Sequence, residues 1–397
     1  MSHRFAEKNV CITGIGQSDV ARPSAKSALS LTVDACALAI KDAGLELSDI
    51  DGISTYPGPI INGDGFSPVG ATDLQMAMRL NPTWMSASVP DGHSHMSAIF
   101  NAIHALAAGT CEHVLVFRTI AQASAKAEAP NAMVFGGRSM PARVWGGLSW
   151  LNPYYAISPA NIVALTATAH FHKYGTTPEQ LGALAVHSRK MAALNPNAIF
   201  KKVITIDDYL ASRMITSPLR VFDCDVPIDG STAIVLSQKD IAKDLRNPPI
   251  YIEAMGMSPG AIFLGQQADY AEIPCGKAGN MMWSRTDLKP RDIDVAQIYD
   301  GFSIFSLYWL EGLGFCGRGE SGPFLEGGAR IGLDGELPMN TSGGQLAAGR
   351  FHGYGHTYEA CMQLWGRCGA RQVPSAKTTV VCNGGAGFGT LLLRTDS

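Results

Sequence analysis

The stretch LELSDID at residues 45–51 returns as LKPRDID at residues 288–294, 243 positions further along the chain. Apolar residues at helical spacing precede each copy, and a short apolar run follows it. The pattern predicts these elements around the two copies: helices over 29–44 and 276–286, and strands over 52–55 and 295–299. Because the string and its surrounding elements recur together, we predict two copies of one α/β unit.

A second pair of elements follows each copy in the same order. They are helix 94–108 with strand 112–117, and helix 357–367 with strand 378–382. Alternating helices and short apolar strands are typical of mainly parallel sheets covered by helices. We predict an N-terminal half over residues 1–245 and a C-terminal half over 246–397. Residues from about 120 to 245 have no counterpart in the second half, which predicts an insertion that covers a site.

The composition excludes several classes of protein. Of 397 residues, 46% are hydrophobic and 16% are charged, with a net charge of −3, which excludes a disordered chain. The sequence shows neither a basic stripe for nucleic acid nor an apolar run long enough to span a membrane. The nine cysteines include no CxxC pair, and the first residues lack the apolar core of a signal peptide. We expect a reduced, cytoplasmic protein that binds neither nucleic acid nor membrane.

A glycine-rich stretch, CNGGAGFG at residues 382–389, lies between two predicted strands near the C-terminus. Glycines permit positive φ angles and close approach of the backbone to a ligand. The stretch is either a tight hairpin between core strands or a set of backbone donors that line a substrate pocket. The pocket interpretation gives Asn383, Gly384 and Gly385 as candidate residues.

The stretch DGHSHM at residues 91–96 marks the start of a predicted helix, a common position for a nucleophile. The elbow of esterases, GxSxG, requires a glycine where Met96 stands. Ser94 therefore fits an N-cap better than a nucleophile. We keep Ser94 and His93 as candidate pocket residues.

The stretch GRFHGYGH at residues 349–356 precedes the last long helix and carries Arg350, His352, Tyr354 and His356. The HxxxH spacing resembles a zinc site, but a zinc site would need both histidines on one helix face, and the intervening glycines disfavour that helix. We therefore predict no metal site. The stretch is either a solvated loop or a set of acid–base residues held close to the backbone.

The stretch YDGF at residues 299–302 ends a predicted strand and opens an apolar helix over residues 302–314. Ligands of parallel α/β sheets bind at the carboxyl ends of strands. Tyr299 is thus either a half-buried core residue or a catalytic phenol, and Asp300 lies beside it. The helix is apolar on nearly every side, which predicts that it is buried in the core.

These motifs, in this order over nearly the whole chain, resemble the thiolase superfamily. Other matching segments are PLRVFDC at 218–224, DGS at 229–231 and NTSGG at 340–344. The resemblance implies a five-layered αβαβα thiolase fold built from two similar halves. It also implies an inserted loop domain that helps to hold coenzyme A, and a homodimer.

The departures from a thiolase point to a different reaction. No cysteine lies between Cys36 and Cys111, where a thiolase has its nucleophile, and Arg350 stands where the thiolase motif has its histidine. A chain with these departures is similar to the thiolase-like aldolases of bacterial steroid side-chain degradation, which belong with the lipid-transfer-protein thiolases. These aldolases cleave a β-hydroxyacyl-CoA, typically a steroid with a tertiary hydroxyl group at carbon 17, into a ketone and propionyl-CoA.

The resemblance also implies roles for particular residues. Tyr299 and Tyr354 match the two acid–base tyrosines of these aldolases. Retro-aldol cleavage needs a base, an acid and stabilisation of an enolate, but no covalent nucleophile. We expect His352, His356 and Arg350 to stabilise a phenolate, and Asn383 with the tail glycines to bind the enolate oxygen.

The resemblance further implies a small partner with a zinc ribbon and an OB fold, sometimes fused to a hydratase. We expect zinc in that partner, no cofactor bound in this chain, and coenzyme A only as part of the substrate. Two alternatives stay open from the sequence. One is an acyl-CoA thiolase or acyltransferase that uses Cys382, and the other is a non-catalytic subunit that binds acyl-CoA or sterol.

Overall fold

The computed structural model describes residues 5–58, 65–88, 95–128, 152–154, 156, 158–259, 269, 274–384 and 387–396. The strands are β1 Val10–Gln17, β2 Gly52–Thr55, β3 Trp84–Ala87, β4 His113–Ala121, β5 Met214–Thr216, β6 Leu219–Arg220, β7 Asp229–Gln238, β8 Ile250–Pro259, β9 Val295–Gln297, β10 Thr378–Gly384 and β11 Gly387–Arg394. The α-helices are α1 Ala28–Ala43, α2 Ala71–Met78, α3 Ser97–Ala107, α4 Gln122–Glu128, α5 Pro159–Tyr174, α6 Pro178–Ala193, α7 Ile206–Leu210, α8 Lys239–Ala242, α9 Cys275–Trp283, α10 Ser303–Gly312, α11 Ser321–Leu325 and α12 Tyr354–Leu364.

Nine of these strands form one sheet whose order repeats about its centre. The order is β3-β2-β4-β7-β1-β8-β11-β10-β9. Strands β3, β2 and β4 are parallel at one edge, and β9 and β10 are parallel at the other. The strands between them pair antiparallel, with β1 and β8 in the middle. Met339 bridges Ala296 in parallel, at the position that β3 occupies in the first half. The sheet thus confirms a fold of two similar halves.

The repeated string has the same structural role in both halves. The carboxylate of Asp51 accepts hydrogen bonds from the backbone N–H groups of Glu112 and His113, each at 2.8 Å, where β4 begins. The carboxylate of Asp294 accepts from the N–H groups of Lys377 and Thr378, at 2.8 and 2.9 Å, where β10 begins. Each aspartate therefore ties a short strand to its longer parallel neighbour.

The helices divide the molecule into layers. Alternate residues of β4 point to opposite faces: Val114 and Val116 pack with α3 and α12, whereas Leu115 and Phe117 pack with α1 and α2. On the C-terminal side, α9 and α10 cover the other face of the sheet. Helices α3 and α12 thus lie between the sheet regions of the two halves, which confirms the five-layered α/β fold.

Helix α10 is buried, as its apolar sequence predicts. Every residue from 303 to 310 is buried, and Trp309 is among the largest side chains with no exposure. Its first residue, Ser303, donates to Asp223 at 2.6 Å, and Tyr209 of α7 donates to the same carboxylate at 2.9 Å. Burial raises the pKa of Asp223 to about 6. This carboxylate joins the inserted segment to the core.

The segment predicted as an insertion over about 120–245 includes part of the sheet. Strand β7 pairs with both β4 and β1, so the part outside the sheet ends before Asp229. That part contributes α5, α6 and α7 and the β5–β6 pair. The predicted boundary between the halves at residue 245 stays a prediction. Among the described residues, no helix is long and apolar enough to cross a membrane.

Candidate active site

The candidate residues gather where strands of the second half end and helices α3, α10 and α12 begin. Tyr299 follows β9, and Tyr354 is the first residue of α12. His95 lies just before α3, and Asn383 lies in β10. All four are buried. The two halves therefore contribute to one site.

Asn383 links two histidines that are distant in sequence. Its Oδ1 atom lies 2.7 Å from His95 Nδ1, and its Nδ2 atom donates to the carbonyl oxygen of His352 at 2.5 Å. The close approach depends on Gly353, which has φ 87°, and a Cβ atom there would overlap the Asn383 side chain. This requirement explains the glycine that follows His352.

His352 contacts a buried arginine. Arg118 of β4 is fully buried, and its Nη2 atom donates to His352 Nδ1 at 3.0 Å. The ring of Phe66 packs on both, with the guanidinium carbon 4.7 Å from its centroid and the imidazole centroid at 4.6 Å. The His352 ring also stacks on His95, with centroids 4.8 Å apart. Burial lowers the pKa of His95 to about 4, and burial with the Arg118 charge holds the pKa of His352 well below 6.5.

The two candidate phenols face different charges. Burial raises the pKa of both Tyr299 and Tyr354 above 10. The Asp225 carboxylate raises the pKa of Tyr299 further, whereas the Arg118 charge opposes the rise at Tyr354. The Tyr299 ring lies 6.0 Å from the His95 ring, and the Tyr354 hydroxyl group has no hydrogen-bond partner among the described residues. Tyr354 therefore has a buried hydroxyl group that is open to a ligand.

Asp300 and His356 form a buried pair behind Tyr299. The Asp300 carboxylate accepts from the backbone N–H groups of Gln345 and Leu346, at 2.9 and 3.3 Å. His356 Nε2 lies 3.1 Å from Asp300 Oδ1. Gly344, with φ 59°, leaves room for this carboxylate, because a Cβ atom there would overlap it. The pair supports the loop that carries Tyr299.

Arg350 contacts an acidic side chain and an amide side chain near the site. It forms an ion pair with Asp225 and donates to Gln122 Oε1 at 2.8 Å. The Arg350 charge opposes the rise in the pKa of Tyr299 that burial causes. Arg350 therefore neutralises a buried carboxylate near the site.

The cysteines show no activated thiol. All nine are free, and burial raises the pKa of each one, for example to about 12 for Cys224. Cys382 is fully buried, and its Sγ atom accepts from the Tyr299 N–H group at 3.4 Å. Reactive cysteines have a lowered pKa, so Cys382 has the environment of a structural residue.

The structure thus brings together several residues that the sequence indicated: Tyr299, Asp300, His352, Tyr354, His356 and Asn383. Ser94, His93 and Gly385 lie outside the described residues. Gly384 lies in β10, where a Cβ atom would overlap the Phe388 ring, and its predicted pocket role stays a prediction.

Sequence reasoning missed His95 and Arg118 as site residues. His95 stands in the DGHSHM stretch, but the sequence gives no sign of its contact with Asn383. The sequence does indicate Arg118, because it is a charged residue inside the apolar strand HVLVFRTIA. Buried arginines are rare without a specific partner, so this residue could have been selected.

Comparison with known proteins identifies the family. A model described as "Thiolase C-terminal domain-like" matches residues 262–391. The chain is 34% identical to the 17-hydroxy-3-oxo-4-pregnene-20-carboxyl-CoA lyase of Mycobacterium tuberculosis, with 89% of this chain and 91% of that protein covered. It is 32% identical to the steroid side-chain-cleaving aldolase of Thermomonospora curvata, with 97% of each covered.

A solved structure, the Ltp2-ChsH2(DUF35) aldolase, superposes with a TM-score of 0.85 at 29% identity and covers 98% of each chain. The fold of this chain therefore agrees with the fold of that aldolase. The chain belongs to the thiolase superfamily, in its group of thiolase-like aldolases that cleave steroid side chains.

Proposed function

We propose that this protein cleaves the side chain of a steroid β-hydroxyacyl-CoA by a retro-aldol reaction. The products are a ketone and propionyl-CoA or a similar short acyl-CoA, and the substrate is a steroid ester with a tertiary hydroxyl group at carbon 17. The observation that carries the proposal is a site with two buried phenols beside neutral imidazoles, in a chain whose nine thiols are all deactivated by burial. The names of the lyase and the aldolase at 34% and 32% identity support the same reaction.

The reaction requires only proton transfers and heterolytic cleavage of one carbon–carbon bond. A base takes the proton of the β-hydroxyl group as the oxygen forms the ketone. The electron pair of the breaking carbon–carbon bond moves into the thioester, which becomes an enolate. An acid then protonates the enolate carbon, so the reaction needs no covalent acyl-enzyme.

We assign the acid and base roles to Tyr299 and Tyr354. A phenol acts as a base only when nearby charge stabilises its anion. The Arg118 charge opposes the rise in the pKa of Tyr354. At Tyr299, Asp225 and Asp300 raise the pKa, and the Arg350 charge opposes them. These neighbours favour Tyr354 as the base and Tyr299 as the acid.

The acyltransferase alternative meets an unfavourable site. Cys382 would need a thiolate, but burial raises its pKa well above 9. A nucleophilic thiol needs a cation or a helix N-terminus that lowers its pKa. Cys382 instead lies inside β10 among apolar side chains.

The proposal includes a partner protein and a homodimer. The solved structure of the Ltp2-ChsH2(DUF35) aldolase supports a DUF35 partner here. We propose that this partner has a zinc ribbon and an OB fold, in some cases with a fused hydratase. We place the zinc in that partner. In the described parts of this chain, no cluster of three or more His, Cys, Asp or Glu side chains is arranged to hold a metal ion. The edge strand β3 exposes Met85, which offers a surface for a second copy.

We further propose that the protein binds no cofactor of its own, takes coenzyme A only as part of its substrate, and works in the cytoplasm. The nine free cysteines support a reducing compartment. Sedimentation of the protein alone and with a DUF35-type partner tests both assemblies.

The decisive experiment is turnover of a panel of steroid β-hydroxyacyl-CoA esters, with and without a DUF35-type partner, followed by mass spectrometry. We expect equal amounts of ketone and short acyl-CoA. Transfer of an acyl group to free coenzyme A would support the acyltransferase alternative. Tight binding of the esters without turnover, even with the partner, would support a non-catalytic subunit.

A further inference from the structure

The protonation of the two stacked histidines follows from their hydrogen-bond partners. The carbonyl oxygen of His352 can only accept, so the Asn383 atom that contacts it is the amide nitrogen. The other atom, Oδ1, therefore faces His95 Nδ1 and can only accept. His95 must carry its hydrogen on Nδ1. Because burial lowers its pKa to about 4, the ring is neutral at pH 7.

His352 has the opposite tautomer. Its Nδ1 atom faces Arg118 Nη2, and a guanidinium group can only donate. Nδ1 is therefore without hydrogen. Burial and the Arg118 charge keep the ring neutral, so the hydrogen of His352 lies on Nε2. No described residue forms a hydrogen bond to this Nε2–H group, which leaves it available to a ligand.

The positive charge of Arg118 has no counter-ion among the described residues. Its side chain is fully buried, and among the described residues no carboxylate forms an ion pair with it. Burial lowers its pKa to about 10, so the group is still charged at neutral pH. The groups that raise this pKa are the tyrosines Tyr354, Tyr56 and Tyr299. A buried charge without a counter-ion is costly, and the formation of an anion nearby relieves that cost.

We propose that His352 donates a hydrogen bond to the anion that forms during the reaction, and that the positive charge of Arg118 strengthens this donor. His352 Nε2–H donates to the thioester oxygen as the carbon–carbon bond breaks and that oxygen becomes an enolate. Arg118 acts through the His352 imidazole ring. Its hydrogen bond to Nδ1 fixes the tautomer of the ring, and its positive charge polarises the Nε2–H group. This inference rests on the proposed retro-aldol function, which generates such an oxyanion.

Asn383 and His95 are positioning residues in this arrangement. Asn383 holds the backbone of His352 through the carbonyl oxygen, and His95 supports the ring by stacking at 4.8 Å. His95 stays neutral, so it adds no second positive charge beside the donor. A donor held in this way loses little freedom when the anion forms, and such preorganised donors contribute strongly to catalysis.

The first test reads the tautomers in the unmodified protein and requires no turnover. Nitrogen-15 NMR of labelled imidazoles, assigned with His95→Gln and His352→Gln, should show hydrogen on Nδ1 of His95 and on Nε2 of His352. Hydrogen on Nδ1 of His352 would overturn the proposal, even if every arginine variant failed to fold.

The second test uses exchange of the α-protons of propionyl-CoA with D2O, followed by mass spectrometry. Arg118→Met should slow the exchange about a hundredfold, with a change in kcat rather than KM, and Arg118→Lys should recover much of the rate. As a matched control, His187→Gln should leave the exchange rate unchanged. His187 is also a buried histidine, but it forms a hydrogen bond to the Met339 carbonyl oxygen outside the site.

The two proposals fail in different ways. Equal exchange rates in Arg118→Met and the wild type would reject the donor role while the cleavage function stands. Exchange that depends on Arg118, with no ketone from any steroid ester, would reject the proposed substrate while the donor role stands.

Discussion

Tyr299 and Tyr354 carry the same phenol, yet their surroundings differ at the scale of single residues. Tyr299 lies near the carboxylates of Asp225 and Asp300, and Tyr354 lies near the guanidinium group of Arg118. The difference in charge favours opposite proton-transfer roles. The chemistry of the site therefore depends on neighbours contributed by β4 and by the loop before β7.

Replacement of either phenol tests these roles. Tyr354→Phe and Tyr299→Phe should each lower the rate of cleavage by at least about a hundredfold, the usual contribution of general acid–base catalysis. Tyr308→Phe is a matched control, since Tyr308 is buried and donates to the Thr166 carbonyl at 3.0 Å. That control should lose about 1 kcal/mol of stability and keep its activity. Steady-state rates near the wild-type value in both site variants would reject the assignment.

Cys382 provides a second test at this scale. Its buried thiol accepts a hydrogen bond from the Tyr299 backbone, and a serine hydroxyl group can accept the same bond. We expect Cys382→Ser to keep cleavage activity within a few-fold of the wild type. Iodoacetamide should likewise leave the native enzyme active. Inactivation that acyl-CoA prevents would instead indicate a nucleophilic thiol.

At the scale of elements, the start of α12 decides whether the site can form. His352 and Gly353 both have positive φ angles, 50° and 87°, just before the helix. This turn aims the His352 carbonyl at Asn383 and places Tyr354 in the first turn of the helix. The local backbone thus connects β10, α12 and the start of α3.

Gly353→Ala should disrupt this connection, because the added methyl group would overlap Asn383. Gly366→Ala is a matched control, with φ 67° and no atom within 4 Å of the added methyl group. Both variants should lose about 1 kcal/mol from backbone strain. Only Gly353→Ala should also lose cleavage activity, by at least about tenfold, and a crystal structure should show Asn383 displaced. Equal activity in the two variants would contradict the proposed link.

At the scale of the whole molecule, buried neutral histidines make stability depend on pH. Burial lowers the pKa of His187 and of His95 to about 4, below the value of about 6.5 in an unfolded chain. Between pH 6.5 and 4 the unfolded state binds more protons, so the free energy of unfolding falls as the pH falls.

His187→Gln should weaken this dependence. Glutamine can still donate to the Met339 carbonyl, but it does not titrate. Between pH 7.5 and pH 5, the wild type should lose about 2 kcal/mol more unfolding free energy than the variant. Urea denaturation at the two pH values measures the difference, and equal losses would show that folding does not lower the pKa of His187.

The sequence predicts the architecture better than it predicts the site. The repeated string was sufficient to predict two halves, because Asp51 and Asp294 act locally on neighbouring strands. The tyrosines were found through motifs that resemble known aldolases. His95 was not selected, because its partner Asn383 is 288 residues away and only the folded chain brings the pair together. Arg118 depends in the same way on His352, 234 residues away.

The most direct test of the account is intact-protein mass spectrometry on samples quenched during turnover of a steroid β-hydroxyacyl-CoA. We predict that the protein keeps its unmodified mass at every time point while ketone and short acyl-CoA appear in equal amounts. A protein species heavier by one acyl group, formed and consumed at the rate of turnover, would contradict the account.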